Sequence, residues 1–208
     1  MPLELVYIVD DSERVRASLG TLLASTGHKS EHYPSAESFL EAAPRLAGGC
    51  ALIDLYLPGI DGLSAIKQLE ALNPGLPAIA MANSGTINTA LRALRAGAID
   101  YLEKPFTPKV LIRSLEKALD FRRRTRKISD QRRLAQALVN RLTPRELEIL
   151  DCLTTGQSNK AIARQLNISP RTIEVHRAHI MEKLEASSLP AAIQIAIAAG
   201  LSNPHNED

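Results

Sequence analysis

Residues 50–62 read CALIDLYLPGIDG, an apolar run that reaches Asp54 and then passes into a loop containing proline and glycine. The first six of them, 50–55, are predicted to form a strand. Four further runs of strand length lie in the first 120 residues: 5–9, 29–33, 78–81 and 99–103. All but 29–33 are nearly continuously apolar, as strands covered on both faces must be. The stretch around Asp54 therefore predicts a central strand of a parallel sheet.

Helical segments separate these strands, and their ends are recognisable. The starts are marked by residues that cap or open helices: Ser12, Ser35, Gly62, and Thr107 followed by Pro108. The fourth segment covers 86–97 and ends in a glycine. Successive strand-then-helix units predict an α/β fold with a doubly wound, five-stranded parallel sheet of the flavodoxin-like kind.

The pattern from residue 142 onward is helical throughout. Thr143, Pro144 and Glu146 match a capping box with proline in the first turn, which predicts a helix start. Three further helices are predicted: after Ser158, after Ser169 and over about 189–199. The second and third helices, joined by a short turn, predict a helix-turn-helix inside an all-α domain of four helices.

The residues between these two patterns are basic and polar. Residues 121–141 are predicted to be a helical linker, so the two domains are expected at 1–120 and 142–208. Residues 1–120 hold 11 Lys and Arg against 14 Asp and Glu, whereas residues 121–208 hold 14 against 9. A polyanionic partner is therefore expected to meet the back half of the chain.

The two cysteines and the N-terminal residues indicate the cellular location of the protein. Cys50 and Cys152 lie far apart and form no CxxC pair, which favours reduced thiols in a cytoplasmic protein. The N-terminus lacks the basic segment of a signal peptide, and the longest apolar stretch, 189–201, is too short to span a bilayer. We therefore expect a cytoplasmic protein with no membrane partner.

Three carboxylates fall at predicted strand ends, where open parallel sheets bind ligands: Asp10, Asp11 and Asp54. Clustered carboxylates repel one another unless a cation joins them, and oxygen ligands without His or Cys suit Mg²⁺. A carboxylate beside such an ion can accept a phosphoryl group, and the ammonium of Lys104 at the fifth strand could pair with that group. The alternative is that the acids only cap a helix and Lys104 is a surface residue.

The stretches VDDS (9–12), DLYLPGIDG (54–62) and EKPF (103–106) together resemble the receiver domain of two-component response regulators of the FixJ/NarL type, over about residues 3–120. The resemblance implies that Asp54 is the phosphoacceptor and that Lys104 contacts the phosphoryl group. It further implies magnesium ligands and a switch aromatic: Asp10, Asp11, Asp54 and the main-chain oxygen of Tyr56 for the metal, and Tyr101 for the switch.

The sequence departs from the receiver pattern at the end of the fourth strand. Receivers carry Ser or Thr there, to hydrogen-bond the phosphoryl oxygen, and this chain has Ala82. Ser84 is considered as a substitute, although a plain loop serine is the favoured interpretation. Losing one hydrogen bond to a charged group costs about 1.5–3 kcal/mol, so weak or altered coupling to the phosphate is expected.

The third helix of the back half has a polar side suited to DNA. An apolar stripe of Ile173, Ile180 and Leu184 is expected to be core. Its side chains suited to phosphate oxygens are Arg171, Arg177 and Lys183, and Arg177 could also contact guanine. Lys160, at the start of the second helix, could also contact a backbone phosphate. Glu174 could accept from cytosine, with an intrahelical pair to Arg171 or Arg177 as the alternative.

The run from LTPRELEIL to HRAHIMEKL resembles the LuxR-type helix-turn-helix over about residues 141–201. The resemblance implies that the 170–184 helix enters the major groove. It implies base-facing positions and backbone contacts: Glu174, Val175 and Ala178 for bases, and Lys160, Thr172, Arg177 and His179 for the backbone. It also implies dimerisation through the last helix. An apolar stripe there, Leu189, Ile193 and Ile197, has packing on its own core as the competing interpretation.

The sequence thus predicts a DNA-binding transcriptional response regulator, not an enzyme, phosphorylated on Asp54 by a sensor histidine kinase. Its other expected partners are promoter DNA and a second copy of the chain, with RNA polymerase as a further candidate. The alternative is a regulator independent of phosphorylation, whose receiver is a dimerisation module. A magnesium-dependent phosphatase is disfavoured, because Asp54 is followed by Leu55 and Tyr56 and lacks a second acid two residues on.

Overall fold

The computed structural model describes residues 5–83 and 86–201, so Ser84 lies outside the described residues. The chain divides into two compact units, one ending at Arg126 and the other beginning at Lys127. Within the described ranges, no helix is long and apolar enough to cross a membrane.

The first unit is built on a parallel sheet of five strands. The strands are β1 (Leu5–Val9), β2 (Lys29–Tyr33), β3 (Gly49–Asp54), β4 (Ala78–Ala82) and β5 (Asp100–Glu103). They lie in the order β2-β1-β3-β4-β5. The helices are α1 (Glu13–Ser25), α2 (Ala36–Ala42), α3 (Gly62–Leu72), α4 (Ile87–Arg95) and the first part of α5 (Pro108–Val139), with a 3-10 turn at Ala43–Arg45. The predicted α/β fold is confirmed.

Apolar side chains cover both faces of this sheet. On one face, Tyr7 and Ile53 join a cluster with Phe39 of α2. On the other face, Ile8 and Leu52 join a cluster with the helices α1 and α5. Because neighbouring residues of a strand point to opposite faces, β1 and β3 must be apolar at nearly every position. β2 lies at an edge of the sheet, which explains its polar sequence.

Side-chain caps fix the starts of the helices. Ser12 and Ser35 accept from the amide three residues on, as the sequence predicts. Gly62 does open α3, and Asp61 caps it by accepting from the Ser64 amide at 2.7 Å. α4 is shorter than predicted, because Gly97 has a φ of +106°, a conformation that ends a helix.

The second unit is helical. Its helices are the end of α5, α6 (Pro144–Thr154), α7 (Asn159–Gln165), α8 (Pro170–Lys183) and α9 (Leu189–Ala199). The capping box of Thr143 and Glu146 is present, and Asn167, with a φ of 52°, lies in the turn between α7 and α8. The predicted stripe Ile173, Ile180 and Leu184 is buried in the core of this unit. The predicted helical domain with its helix-turn-helix is therefore confirmed.

The predicted linker overlaps the second half of α5, which continues to Val139. Val139 is buried in the core of the second unit, whereas Ile128 and Leu134 are about two-thirds exposed, at 66% and 65%. The domain boundaries at 120 and 141 stay predictions.

Candidate functional site

Two aspartates meet at the carboxyl end of the sheet because β1 and β3 are parallel neighbours. Val9 pairs with Ile53 in the register of these strands, so the next residues, Asp10 and Asp54, lie side by side. Both are nearly inaccessible, at 1% and 4% exposure. Buried charges of one sign need a counter-charge, because burial removes the water that would otherwise stabilise them.

Lys104 supplies that counter-charge from the end of β5. Its Nζ atom lies 2.6 Å from Asp10 Oδ2 and 3.1 Å from Asp54 Oδ1. The main-chain N–H of Lys104 donates to the Ala82 carbonyl at 2.7 Å, and its peptide bond to Pro105 is cis. The structure thus brings together the predicted site residues Asp10, Asp54 and Lys104, and the lysine ammonium contacts both carboxylates.

The electrostatics of Asp54 reflect this shared cation. Burial raises the pKa of the Asp54 carboxyl above its ordinary value, and Lys104 only partly opposes that rise. The neighbouring charges of Asp10 and Asp11 raise the pKa further. The ionised form of Asp54 is therefore less favourable here than in water, so an additional cation would stabilise it.

Asp10 is held on both its side chain and its main chain. Its Oδ1 atom accepts from the Ser12 amide at 2.9 Å, and its carbonyl accepts from Arg16 Nη1 at 2.7 Å. Arg16 is a site residue that the sequence analysis missed, since nothing in a helical arginine marks it as a partner of the preceding strand.

The described residues fit the predicted magnesium ion in their chemistry but not in their arrangement. The donors match in type, since Asp10 and Asp54 offer carboxylate oxygens and Asp11 acts on Asp54 electrostatically. Asp11 is nonetheless exposed, and no three His, Cys, Asp or Glu side chains within 5–83 and 86–201 converge as a metal cluster. The residues fit the ion in kind, and the structure holds them in an arrangement dominated by Lys104.

Ala82 and Tyr101 lie close to this site on neighbouring strands. Ala82 is fully buried and presents a methyl group at the end of β4. Tyr101 pairs with Ala80 in the register, and its hydroxyl is buried without a hydrogen-bond partner in the part of the chain that the structure describes. Desolvation raises the pKa of this hydroxyl. Tyr101 thus packs against the core cluster that also contains Ala82.

Most predicted DNA contacts lie on an accessible surface of the second unit. The exposed ones are Lys160, Arg171, Glu174, Val175, Ala178 and His179. Thr172 is half-buried, and its hydroxyl lies 2.8 Å from that of Ser169 at the helix cap. Glu174 makes no ion pair with a described residue, so the intrahelical pair left open above is not formed.

Arg177 and Lys183 are each bound by a side chain of their own domain. Arg177 Nη1 donates to Asn159 Oδ1 of α7 at 2.6 Å. Lys183 Nζ lies 2.7 Å from Glu146 Oε2, and Glu146 is only 3% exposed. Burial alone would raise the pKa of Glu146, but hydrogen bonds from Lys183 and Thr143 lower it to about 2. The sequence analysis missed both structural partners, Asn159 and Glu146, of these two cations.

The apolar stripe of α9 divides between two environments. Leu189 packs against the core of the second unit, together with the fully buried Ala192 and Ala196. Ile193 is half-buried, whereas Ile197 is 47% exposed. The core face of this helix therefore runs through its alanines, and one edge of the predicted stripe stays accessible.

Two known families match this chain. Residues 6–116 match the response regulator receiver domain, and residues 140–196 match the luxR family of bacterial regulatory proteins. The transcriptional regulatory protein FixJ of Bradyrhizobium diazoefficiens is 38% identical over 201 residues, which cover 95% of this chain and 97% of that protein. The response regulator protein TodT of Pseudomonas putida is 34% identical over 193 residues, covering 92% and 84%.

Solved structures agree with these matches. Full-length FixJ from B. japonicum has a TM-score of 0.58 at 38% identity, covering 96% of this chain and 98% of that one. The low-resolution structure of the response regulator StyR has a TM-score of 0.78 at 34% identity, covering 93% and 98%.

Fold and site together define a two-domain signalling protein. The chain belongs to the response regulators that carry a receiver domain followed by a LuxR-type DNA-binding domain, and it is a FixJ/NarL-like transcriptional regulator. The resemblance carried by VDDS, DLYLPGIDG and EKPF is confirmed. Membership implies that the second unit binds DNA and that a histidine kinase is the partner of the first.

Proposed function

We propose that the receiver domain, residues 1–120, is switched by phosphorylation of Asp54, with a sensor histidine kinase as the donor. The observation that carries the proposal is Lys104, whose ammonium contacts both Asp10 and Asp54. An oxygen of Asp54 forms a bond to phosphorus while the bond from phosphorus to the donor breaks, and the donor keeps the electron pair. Lys104 then pairs with the added phosphoryl oxygens.

Carboxylate and main-chain oxygens are proposed to hold a magnesium ion beside Asp54. The residues are Asp10, Asp11, Asp54 and Tyr56 through its carbonyl. When bound, the ion neutralises charge on the phosphoryl oxygens. The raised pKa of Asp54 supports this assignment, because a carboxylate that is costly to ionise gains most from a nearby cation.

The second domain, residues 142–208, is proposed to read promoter DNA with α8 in the major groove. The exposed side chains Glu174, Val175 and Ala178 are assigned to bases, and Lys160, Arg171, Thr172 and His179 to the sugar-phosphate backbone. Arg177 and Lys183 are assigned to positioning α8, since each is bound within the domain.

Phosphorylation is proposed to promote a homodimer that binds two half-sites about one DNA turn apart. The half-exposed Ile197 supports a role of α9 in that dimer. A helical linker at 121–141, a cytoplasmic location and a contact with RNA polymerase belong to the same proposal.

A second candidate function follows from Ala82 and from the Tyr101 hydroxyl, which no described residue hydrogen-bonds. With no hydroxyl on Ala82 to answer the phosphoryl group, and with Tyr101 already packed inward, the receiver could act as a constitutive dimerisation module. DNA binding would then be independent of the phosphorylation state of Asp54.

One experiment tests the first proposal and separates it from the second. The full chain and Asp54→Ala are incubated with magnesium and a small phosphodonor, and intact mass and DNA affinity are measured. The proposal expects one phosphoryl group on the wild type only, and tighter DNA binding with it. Absence of phosphate on Asp54 would refute the phosphorylation step. Phosphorylation without any change in DNA affinity would favour the constitutive module.

A further inference from the structure

The segment that follows Asp54 is fixed at both ends. The Leu55 amide donates to the Met81 carbonyl at 2.8 Å, and the Gly62 amide donates to the Leu55 carbonyl at 3.1 Å. A Cβ at Gly62 would collide with the Asp54 carbonyl, so the chain passes directly behind the phosphoacceptor. The residues between these anchors include Tyr56, whose side chain is 59% exposed and adds little packing to hold the segment.

The middle of this segment is held by Glu37, a residue of α2. Glu37 Oε1 accepts from the Ile60 amide at 2.7 Å, across 23 residues of sequence. Gly59 has a φ of +77°, and a Cβ there would run into the same carboxylate oxygen. The pKa of Glu37 lies below its ordinary value because the carboxylate accepts from the Ile60 amide, from its own amide and from Ser35.

The turn that carries Glu37 is itself ordered. Ser35 caps α2 by accepting from the Ser38 amide at 3.3 Å, and Glu37 lies in the first turn of that helix. The hydrogen bond from the Ile60 amide therefore ties the segment to the fixed start of a helix.

We infer that Glu37 is a positioning residue of the phosphorylation site: it fixes the main chain of the segment after Asp54, which carries the Tyr56 carbonyl that would serve as a magnesium ligand. The inference rests on the proposed function, since it assumes that Tyr56 contributes a metal ligand. Glu37 is not one of the proposed magnesium ligands. Its effect reaches the site through the main chain of Ile60 and Gly59.

The test uses the full chain and magnesium alone. The rise of the thermal unfolding midpoint is followed as magnesium is added to wild type, Glu37→Ala, Glu37→Gln and Glu41→Ala. Glu41 is an exposed carboxylate on the same helix and serves as the matched control. The half-saturating magnesium concentration is expected to rise about three- to tenfold in Glu37→Ala. Glu37→Gln, which keeps an acceptor oxygen, and Glu41→Ala should stay near wild type.

A second readout separates positioning from simple loss of stability. The rate of phosphorylation by a small phosphodonor is measured against magnesium concentration. Positioning predicts a shifted half-saturation with a maximal rate within about twofold of wild type, since the chemical groups at Asp54 are unchanged. Gly59→Ala would place a Cβ against the same carboxylate oxygen and should shift the half-saturation in the same direction.

Unchanged half-saturation in Glu37→Ala would overturn the inference, as would a wild type that magnesium does not stabilise. Equal shifts in Glu37→Ala and Glu41→Ala would also overturn it, because they would indicate a general charge effect. A wild type that binds magnesium but takes no phosphate would refute the proposed phosphorylation instead, and the magnesium titration of Glu37→Ala would still decide the role of Glu37.

Discussion

Two buried carboxylates, one in each unit, face a lysine and behave in opposite ways. Asp54 is 4% exposed and Glu146 is 3% exposed, and their lysines lie at 3.1 Å and 2.7 Å. The pKa of Asp54 is nevertheless raised, whereas that of Glu146 is lowered to about 2. Similar exposure of the two side chains therefore does not set the direction of the shift by itself.

Besides the desolvation that raises the pKa of Asp54, the two carboxylates differ in how completely each is hydrogen-bonded. Glu146 accepts from Lys183 and from both the amide and the hydroxyl of Thr143. Asp54 shares Lys104 with Asp10, which has the shorter bond, and it faces further negative charge. A saturated carboxylate stabilises a fold, and an under-compensated one is prepared to take a new cation or phosphoryl group.

The largest difference between the two sites is expected when each carboxylate is replaced by its neutral amide and the free energy of unfolding is measured. Glu146→Gln is expected to lower the unfolding free energy of the second unit by about 1–3 kcal/mol, because it weakens charge-assisted bonds to Lys183 and Thr143. Asp54→Asn should change that of the first unit by less than about 1 kcal/mol, toward higher stability, because the charged form is disfavoured there. Urea titration with hydrogen exchange read on peptides of each unit measures both. A larger loss in Asp54→Asn than in Glu146→Gln would contradict the comparison.

The contributions of Asp54 and Glu146 to the free energy of unfolding should change with pH in opposite directions. Glu146 has a folded pKa below its ordinary value of 4.5, so its contribution is present above that value and is lost as pH falls toward about 2. Asp54 has a raised pKa, so its charge is a penalty at neutral pH that is relieved as pH falls.

The measurement is the difference in unfolding free energy between wild type and each isostere, from pH 7 down to the lowest pH at which the unit stays folded. The stabilising difference at Glu146 should shrink below its ordinary pKa, and the destabilising difference at Asp54 should shrink as well. Parallel curves of the same sign would show that the two carboxylates are alike.

The smallest expected effect is a difference between two lysine variants of the second unit in the salt dependence of DNA binding. Lys160→Ala should weaken DNA binding evenly across sequences and reduce the slope of log affinity against log salt by about 1. Lys183→Ala should leave that slope unchanged, since its ammonium is engaged with Glu146, and should instead lower the stability of the unit. Filter binding or anisotropy at several salt concentrations distinguishes them, and equal slopes for the two variants would refute the assignment.

The sequence was sufficient for features that depend on neighbours in the chain. Helix caps such as Ser12, Ser35 and the Thr143 capping box need only three or four residues of context. The acids at strand ends also followed, because parallel strands bring their carboxyl ends to one edge of the sheet.

The contacts that escaped prediction join distant elements. Glu37 meets Ile60 across 23 residues, and Lys183 meets Glu146 across 37. Such pairs depend on how separate elements pack against one another, which residue types alone do not determine. The sequence therefore assigned Lys183 to DNA, since an unpaired lysine on a recognition helix and a paired one look the same in one dimension.

The hydrogen bond between Arg177 and Asn159 affects the entropy cost of binding DNA. It ties α8 to α7 inside the free domain, at 2.6 Å, so the recognition helix has a set orientation before any duplex arrives. A domain whose recognition helix is already ordered loses less conformational entropy when it binds DNA, so more of the interaction energy contributes to affinity.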